Sequence, residues 1–307
     1  MQKQLMQQIQ QVEQLANGGK LGRLLHDPVR YLTAQTFLKY IYPKTQKGKL
    51  AIAKTFFGHD MEVLLPAATD IYLTGGKTHA SEIRLAKFMI SRLQPEHVYM
   101  DIGAHFGYYT LLAAKLVGEN GKVFAFEAAG KTYEVLQRNV KGHKQVQALH
   151  NAVSNSEEVI SFYEFPILYS EYNSMDVAQF KNEEWIKKYK PEQTEVRAVT
   201  IDIFAEALFK KPDFIKIDVE GAEDKVLLGC KETLAKYHPV VVMEYISNSV
   251  NMQVYDRAML ILLELGYIAH FIEGNGELRP VKNLKQEILN NTSENLVFIY
   301  RQKGEVV

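Results

Sequence analysis

The sequence is poor in cysteine and in long apolar runs. Cys230 is the only cysteine among 307 residues, which excludes an internal disulfide and weakly favours a reducing compartment. No uncharged apolar run approaches the roughly 20 residues that a membrane-spanning helix needs. The polar N-terminus, MQKQLMQQIQQ, has no apolar segment of the signal-peptide kind. We therefore expect a cytoplasmic protein without a membrane span.

The sequence also lacks an excess of charge of either sign. Lys and Arg together number 36, as do Asp and Glu, so the formal net charge is zero. This balance gives no reason to expect nucleic acid or an anionic membrane as a partner. With 47% hydrophobic residues, the chain is typical of a globular protein with one large domain or two modest ones. We expect an N-terminal helical extension over residues 1–48 and a catalytic domain over residues 49–307.

The N-terminal extension begins with a helical pattern. Apolar residues recur there at helical spacing: Leu5, Ile9, Val12 and Ala16. Gly18 and Gly19 end this pattern, and a second helical region is expected from Lys20 to about Tyr42. The apolar stripe of the first helix either packs on the chain's own domain or forms a contact between two copies, as in a homodimer.

The stretch from Tyr99 to Lys115 has the order of a strand, a glycine loop and a helix. An apolar run ends on Asp101, a loop holds Gly103 and Gly107, and an Ala- and Leu-rich helical pattern follows. In an open parallel sheet, ligands bind in the crevice outside the carboxyl ends of the strands. We therefore expect a ligand site at this loop.

Strand and helix patterns alternate around this loop, which predicts an α/β fold with a parallel sheet and right-handed crossovers. A short hairpin within residues 49–73 precedes the loop. Further strands are predicted at residues 121–127, 146–154, 214–218, 238–245, 267–271 and 296–300. An aromatic insertion, residues 163–193, interrupts the alternation and is either core filler or a lid over a substrate pocket. Its length and aromatic content favour the lid.

The glycine spacing indicates which type of nucleoside cofactor the loop can bind. Dinucleotide sites use G-x-G-x-x-G, which brings a pyrophosphate to a helix N-terminus, whereas this loop reads D-x-G-x-x-x-G. Asp101 would repel a pyrophosphate, but it can accept hydrogen bonds from an ammonium group. Glu127, at the end of the next strand, can accept hydrogen bonds from both ribose hydroxyls. The pattern favours S-adenosylmethionine and disfavours a nicotinamide-dependent oxidoreductase.

Several motifs together resemble the FkbM family of S-adenosylmethionine-dependent methyltransferases. They are DIGAHFGYYTLLAAKLVG, VFAFE, AVS, VTID and FIKIDVEGAEDKVLLG, spread from about Met89 to Tyr245. The resemblance implies a class I methyltransferase fold, which is Rossmann-like: a seven-stranded, mostly parallel sheet with helices on both faces and an antiparallel last strand. It also implies O-methylation of a hydroxyl on a sugar, a glycan or a polyketide-type secondary metabolite.

The resemblance assigns cofactor contacts by position. They are Asp101, Gly103 and Gly107 at the methionine end, Glu127 at the ribose, and Asn151, Ala152 and Val153 near the adenine. Glu82, near the start of a predicted helix, faces either solvent or the crevice, and we include it among the candidate contacts. His105 stands where the family usually has Asn. Its ring stabilises the loop by a hydrogen bond, tunes cofactor binding or acts in catalysis.

Three carboxylates follow the later strands. Asp218 and Glu220 come after the fourth strand and Glu244 ends the fifth, so all three would converge beside the transferred methyl. One carboxylate, Asp218 first, could act as general base with a pKa raised by burial or by its acidic neighbours. Alternatively, Asp218 and Glu244 could bind Mg²⁺. A third interpretation, for Asp218 and Glu220, is a buried network that caps the next helix. An alternative function for the whole chain is a non-catalytic, methyltransferase-like binding module in a biosynthetic assembly.

Overall fold

A computed structural model describes residues 1–177, 180, 183–208, 211–247, 252–288 and 293–301 of the chain. The helices are α1 (Gln2–Asn17), α2 (Gly19–His26), α3 (Pro28–Thr36), α4 (Tyr42–Thr45), α5 (Thr69–Thr74), α6 (Ala80–Arg92), α7 (Tyr108–Val117), α8 (Gly130–Asn139), α9 (Ile201–Leu208), α10 (Glu223–Leu228), α11 (Lys231–Tyr237), α12 (Met252–Glu264) and α13 (Leu284–Glu287). A π-helical turn, Phe37–Ile41, joins α3 to α4. Two 3₁₀ segments, Ile167–Tyr172 and Glu184–Lys187, lie in the aromatic insertion.

The strands are β1 (Lys49–Lys54), β2 (Asp60–Leu65), β3 (Val98–Ile102), β4 (Lys122–Phe126), β5 (Val146–Leu149), β6 (Ala152–Val153), β7 (Val159–Glu164), β8 (Glu192–Val199), β9 (Phe214–Ile217), β10 (Val240–Ile246), β11 (Tyr267–Ile272), β12 (Leu278–Pro280) and β13 (Ser293–Tyr300). β1 and β2 pair antiparallel, as the alternating pattern before the core predicted. The order in the central sheet is β12-β11-β13-β10-β9-β3-β4-β5.

The central sheet confirms the predicted fold class. β5, β4, β3, β9 and β10 run parallel, whereas the last strand, β13, lies antiparallel between β10 and β11. The sheet has eight strands rather than seven, because the short strand β12 extends its edge by pairing with β11.

Helices cover both faces of the sheet. All five residues of β3 are buried, as expected for a parallel strand with layers on either side. Successive residues of this strand contribute to opposite layers. Tyr99 joins the apolar cluster that includes α1, α6 and α7, while Met100 and Ile102 join the cluster that includes α10, α11 and α12.

One predicted strand is divided in two. The expected strand at residues 146–154 leaves the central sheet after Leu149, and its last part, β6, pairs with β8 in a separate sheet of order β6-β8-β7. The chain changes course at His150, whose ring stacks on Tyr133 with centroids 4.7 Å apart. Apolar residues stand on both sides of the polar pair His150 and Asn151, and so short an interruption does not show that the chain changes sheets.

The apolar stripe of α1 is used within the chain. Leu5, Ile9 and Val12 are buried in the cluster that contains α6. On the same helix, Glu13 Oε2 lies 2.7 Å from Lys87 Nζ. A homodimer contact through this stripe would have to displace α6, although dimerisation through another part of the extension stays a prediction. Among the described residues, no helix is both long enough and apolar enough to cross a bilayer.

Candidate active site

The carboxyl ends of the central strands border a cavity of about 380 Å³, a size typical of small-molecule sites. Ten of the residues predicted from sequence line it: Glu82, Gly103, His105, Glu127, Asn151, Ala152, Val153, Asp218, Glu220 and Glu244. The cavity thus brings the glycine loop together with all three of the later carboxylates. Asp101 and Gly107 do not line this cavity.

Gly103 lies where two loops approach each other at backbone distance. Its φ is +81°, and a Cβ on this residue would lie 1.8 Å from the carbonyl oxygen of Asp218. The amides of Gly103 and Ala104 donate to the carbonyl oxygen of Phe126, at 3.0 and 2.9 Å. Only glycine satisfies both the left-handed conformation and the close approach, so Gly103 holds the loop after β3 against the loop after β9.

Glu127 stabilises the glycine loop by a hydrogen bond to its backbone. Its Oε2 accepts a hydrogen bond from the His105 amide at 2.7 Å, and its Oε1 accepts from the Ala129 amide and the Thr132 hydroxyl, at 3.0 and 2.7 Å. Burial raises the pKa of Glu127. Because a carboxylate oxygen can accept two hydrogen bonds, Oε2 retains capacity for one more donor, and the ribose contact stays a prediction.

His105 connects the glycine loop to the aromatic insertion. Its Nε2 lies 2.9 Å from Ser170 Oγ, and its backbone has a φ of +50°. Burial, together with the positive charge of Lys77, lowers the pKa of His105 to about 3. The imidazole is therefore neutral at ordinary pH and adds no positive charge to the cavity.

Asp101 lies beneath the loop. It is 1% exposed, and its Oδ2 accepts a hydrogen bond from the Thr110 hydroxyl of α7 at 2.6 Å. Burial raises the pKa of Asp101, opposed by Lys216. It borders a smaller neighbouring cavity of about 30 Å³, and Gly107, with a φ of +88°, immediately precedes α7. Direct contacts of Asp101 and Gly107 to a cofactor stay predictions.

Asp218, Glu220 and Glu244 form a carboxylate cluster in which one oxygen of each lies within 4.8 Å of the others. The cluster joins the loop after β9 to the carboxyl end of β10. Burial raises the pKa of Glu220 well above its ordinary range. Burial and the charge of Asp218 raise the pKa of Glu244 to about 8, and the Ser293 hydroxyl donates to Glu244 Oε1.

Asp218 differs from the other two carboxylates, because a buried lysine forms an ion pair with it. Lys216 Nζ lies 2.9 Å from Asp218 Oδ2, and the lysine side chain is 3% exposed. Burial alone would raise the pKa of Asp218, but Lys216 and Lys77 hold it below its ordinary value. The expected elevation of this pKa is therefore wrong. At neutral pH the cluster combines an ionised Asp218 with a protonated Glu244.

The turn after β9 is closed by Glu223, a residue that the sequence interpretation missed. Glu220 and Gly221 both have a positive φ, of 55° and 94°. The buried carboxylate of Glu223 accepts hydrogen bonds from the amides of Val219 at 3.3 Å and Gly221 at 3.1 Å. Glu223 thus binds the turn that leads into α10, whereas Ala222, at the N-cap of this helix, receives no side-chain cap. The position of Glu223 in the first turn of α10 was the available signal.

The titration of Glu223 gives a pH-dependent stability. Burial raises its pKa from 4.5 to about 7, so the folded state holds a proton that the unfolded state has lost, and stability falls as the pH rises from about 4.5 to 7. The full effect is on the order of 3 kcal/mol. We expect Glu223→Gln to remove this part of the slope in urea denaturations of the metal-free protein. A slope equal to that of the wild type would contradict the assignment.

Glu82 faces the cavity rather than solvent. Its Oε2 lies 3.0 Å from Lys77 Nζ and accepts a hydrogen bond from the Tyr109 hydroxyl at 2.7 Å. Burial would raise the pKa of Glu82, but Lys77 lowers it below its ordinary value. Lys77 was not predicted from the sequence, because Gly75 and Gly76 beside it indicate only the end of the hairpin.

The aromatic insertion supplies one wall of the cavity. The residues that it contributes are Ser170, Glu171, Tyr172, Asn173 and Met175. Behind this wall, Tyr169 stacks on Trp185 with ring centroids 4.1 Å apart and planes 7° apart. Phe165 packs edge-on against the same indole at 5.3 Å. The segment therefore has an aromatic core of its own and also lines the cavity, and its action as a lid stays a prediction.

Comparison with known proteins identifies the family. The family described as "Methyltransferase FkbM domain" matches residues 101–269, more than half of the chain. A similar curated protein is methyltransferase sdnD from Sordaria araneosa, 29% identical over 183 residues, which cover 48% of this chain and 70% of that protein. Similar solved structures include FkbM from Methylobacillus flagellatus KT (13% identity, TM-score 0.43, 76% of this chain and 53% of that one). Another is a fibrillarin from Aeropyrum pernix with natively bound S-adenosyl-L-methionine (9% identity, TM-score 0.37, 70% and 74%). The chain belongs to the FkbM methyltransferase family.

Proposed function

We propose that the protein is an S-adenosylmethionine-dependent O-methyltransferase whose acceptor is a hydroxyl of a sugar, a glycan or a polyketide-type secondary metabolite. One observation carries the proposal: the glycine loop and the carboxylate cluster line the same cavity. Transfer of a methyl group to an alcohol requires a group that removes the hydroxyl proton or lowers its pKa. The cluster provides carboxylates for either task within reach of the loop.

The side chains around the cavity suit this cofactor. S-adenosylmethionine carries an ammonium group, a sulfonium and two ribose hydroxyls, and when bound it supplies an electrophilic methyl group. Glu82 and Glu127 offer carboxylate oxygens that can accept hydrogen bonds from the ammonium and hydroxyl groups. The neutral ring of His105 places no positive charge beside the sulfonium.

The acceptor hydroxyl would be oriented by Asp218. This carboxylate is ionised, because Lys216 lowers its pKa, so it can accept a hydrogen bond from an alcohol and take its proton as the methyl group moves. Holding the reacting atoms at attack distance can supply about 7 to 11 kcal/mol of the barrier. Glu244 is protonated near neutral pH, so it could donate a hydrogen bond to another oxygen of a polyhydroxylated acceptor.

A divalent metal offers a second mechanism at the same cluster. Asp218 and Glu244, with Glu220 beside them, present oxygen ligands of the kind that Mg²⁺ prefers, and a bound cation would ionise Glu244. If Mg²⁺ binds, we expect EDTA to lower methyl transfer by at least about tenfold and added Mg²⁺ to restore it. The Glu244→Gln variant should be insensitive to both. Activity of the wild type that is unchanged in EDTA would remove the metal and leave Asp218 as the base.

The direct test is cofactor binding followed by methyl transfer. S-adenosylmethionine should bind the purified protein in a calorimetric titration, and a panel of sugars and hydroxylated natural products should identify an acceptor that becomes methylated. Absence of cofactor binding would refute the proposal. Binding without transfer to any acceptor would favour a non-catalytic binding module. Protection of the fold by NADH but not by S-adenosylmethionine would favour an oxidoreductase.

A further inference from the structure

The zero net charge of the chain conceals a strongly basic segment. Residues 18–48 contain six Lys and Arg side chains and one Asp, for a net charge of +5, so the rest of the chain carries −5. Lys20, Lys39, Lys44 and Lys47 are exposed. The segment corresponds to α2, α3, the π-helical turn and α4, which follow one another directly.

The same segment exposes large apolar side chains. Their exposed fractions are 67% for Leu21, 72% for Leu25, 75% for Val29, 57% for Leu32, 67% for Tyr40 and 45% for Ile41. Leu21 and Leu25 are four residues apart on α2, and Val29 and Leu32 are three apart on α3, so each pair shares a helix face. We call the exposed lysines and apolar side chains of residues 18–48 the basic amphipathic surface.

We infer that this basic amphipathic surface binds the face of an anionic phospholipid bilayer. Helices that lie in a membrane interface combine exposed apolar side chains on one face with Lys and Arg on the other. The charge complementarity selects this occupant over a second copy of the chain, because two copies would place +5 against +5 around the apolar contact. The binding is peripheral and requires no membrane-spanning helix.

The basic amphipathic surface is joined to the wall of the cavity. The amide of Leu168 donates to the hydroxyl oxygen of Tyr42 in α4 at 3.0 Å, and Tyr42 stacks with Tyr189, ring centroids 6.4 Å apart. Both partners belong to the aromatic insertion that supplies Ser170 and Tyr172 to the cavity. A bilayer bound to α2 and α3 would therefore orient the insertion relative to the membrane. This inference does not depend on which reaction takes place in the cavity.

Sedimentation with lipid vesicles tests the inference on the full chain. Vesicles of phosphatidylcholine with roughly 30% phosphatidylglycerol, which gives them an anionic surface, should bind the protein, and pure phosphatidylcholine vesicles should bind it far more weakly. Each Lys near such a surface contributes about 1 kcal/mol. The triple variant Lys20→Gln/Lys39→Gln/Lys44→Gln should therefore lower the partition coefficient on the order of 100-fold. Leu21→Gln/Leu25→Gln should also lower it at least about tenfold, since burial of apolar side chains adds to the electrostatic attraction.

A matched pair of leucines controls for a general loss of apolar surface. Leu260 and Leu263 on α12 are 53% and 42% exposed, and Leu260→Gln/Leu263→Gln should bind anionic vesicles like the wild type. No binding of the wild type, or equal losses in the two leucine variants, would overturn the inference. It would also be overturned if light scattering showed a dimer in the wild type that Leu21→Gln/Leu25→Gln dissociates, because the surface would then contact a second copy.

Discussion

Replacing Gly103 with alanine is expected to abolish cofactor binding and to lower the free energy of unfolding by about 4 kcal/mol or more. A left-handed φ costs an alanine about 1 kcal/mol, but the larger part of the loss comes from contact. The new Cβ would lie 1.8 Å from the carbonyl oxygen of Asp218, and this backbone atom can move away only if the two loops separate. Urea denaturation and calorimetric titration with S-adenosylmethionine measure the two effects.

Gly142→Ala is the matched control for this prediction. Gly142 has a φ of +92°, and among the described residues no neighbouring atom lies within 4 Å of the position that a Cβ would take. The control thus introduces the backbone strain without the collision, and it should cost only about 1 kcal/mol and leave cofactor binding intact. If the two variants lose similar stability, close approach of the loops is not what requires glycine at position 103.

The Asp218→Asn variant is expected to lose about 10²- to 10⁴-fold in kcat, the contribution typical of a positioned base. The asparagine oxygen can still accept the hydrogen bond from Lys216, but it cannot accept the hydroxyl proton. Affinity for S-adenosylmethionine should change much less than kcat if Asp218 acts on the acceptor. Single-turnover methyl transfer, measured on protein whose folding is verified by circular dichroism, tests this directly.

Asp224→Asn provides a comparison for the loss of a paired carboxylate. Asp224 Oδ2 lies 2.8 Å from Arg257 Nη2, and the residue is outside the cavity. This variant should therefore keep its kcat even if it loses some stability. Full turnover by Asp218→Asn would remove Asp218 from the reaction. Equal losses of kcat in both variants would show that Asp218, through its ion pair with Lys216, supports folding rather than catalysis.

The central sheet could be predicted because its buried strands leave a local apolar pattern in the sequence. The apolar runs at Val98–Met100 and Phe214–Ile217 mark central strands, because a parallel strand covered on both faces must be apolar on both. The carboxyl ends of parallel strands meet at one edge of the sheet. The order of strands along the sequence was therefore enough to predict that Asp218 and Glu244 lie near the glycine loop. The structure brings them together there.

What the sequence did not reveal depends on contacts between distant segments. Lys216 sits inside an apolar strand, and nothing local indicates that it pairs with Asp218 and reverses the expected pKa shift. Glu220 and Glu223 are both glutamates beside this turn. The sequence does not show which of them the turn directs towards the amides of Val219 and Gly221. The basic surface of residues 18–48 was hidden in the total charge, because an excess of acidic residues over the rest of the chain cancels it.

The carboxylate cluster has a consequence for the thermodynamics of ligand binding. Glu244 holds a proton below about pH 8, and a cation placed against its carboxylate would favour the ionised form. Binding would then expel a proton, so the affinity for such a ligand should rise with pH until Glu244 is ionised. The heat recorded near neutral pH would consequently vary with the ionisation enthalpy of the buffer, and its dependence on buffer would count the protons released.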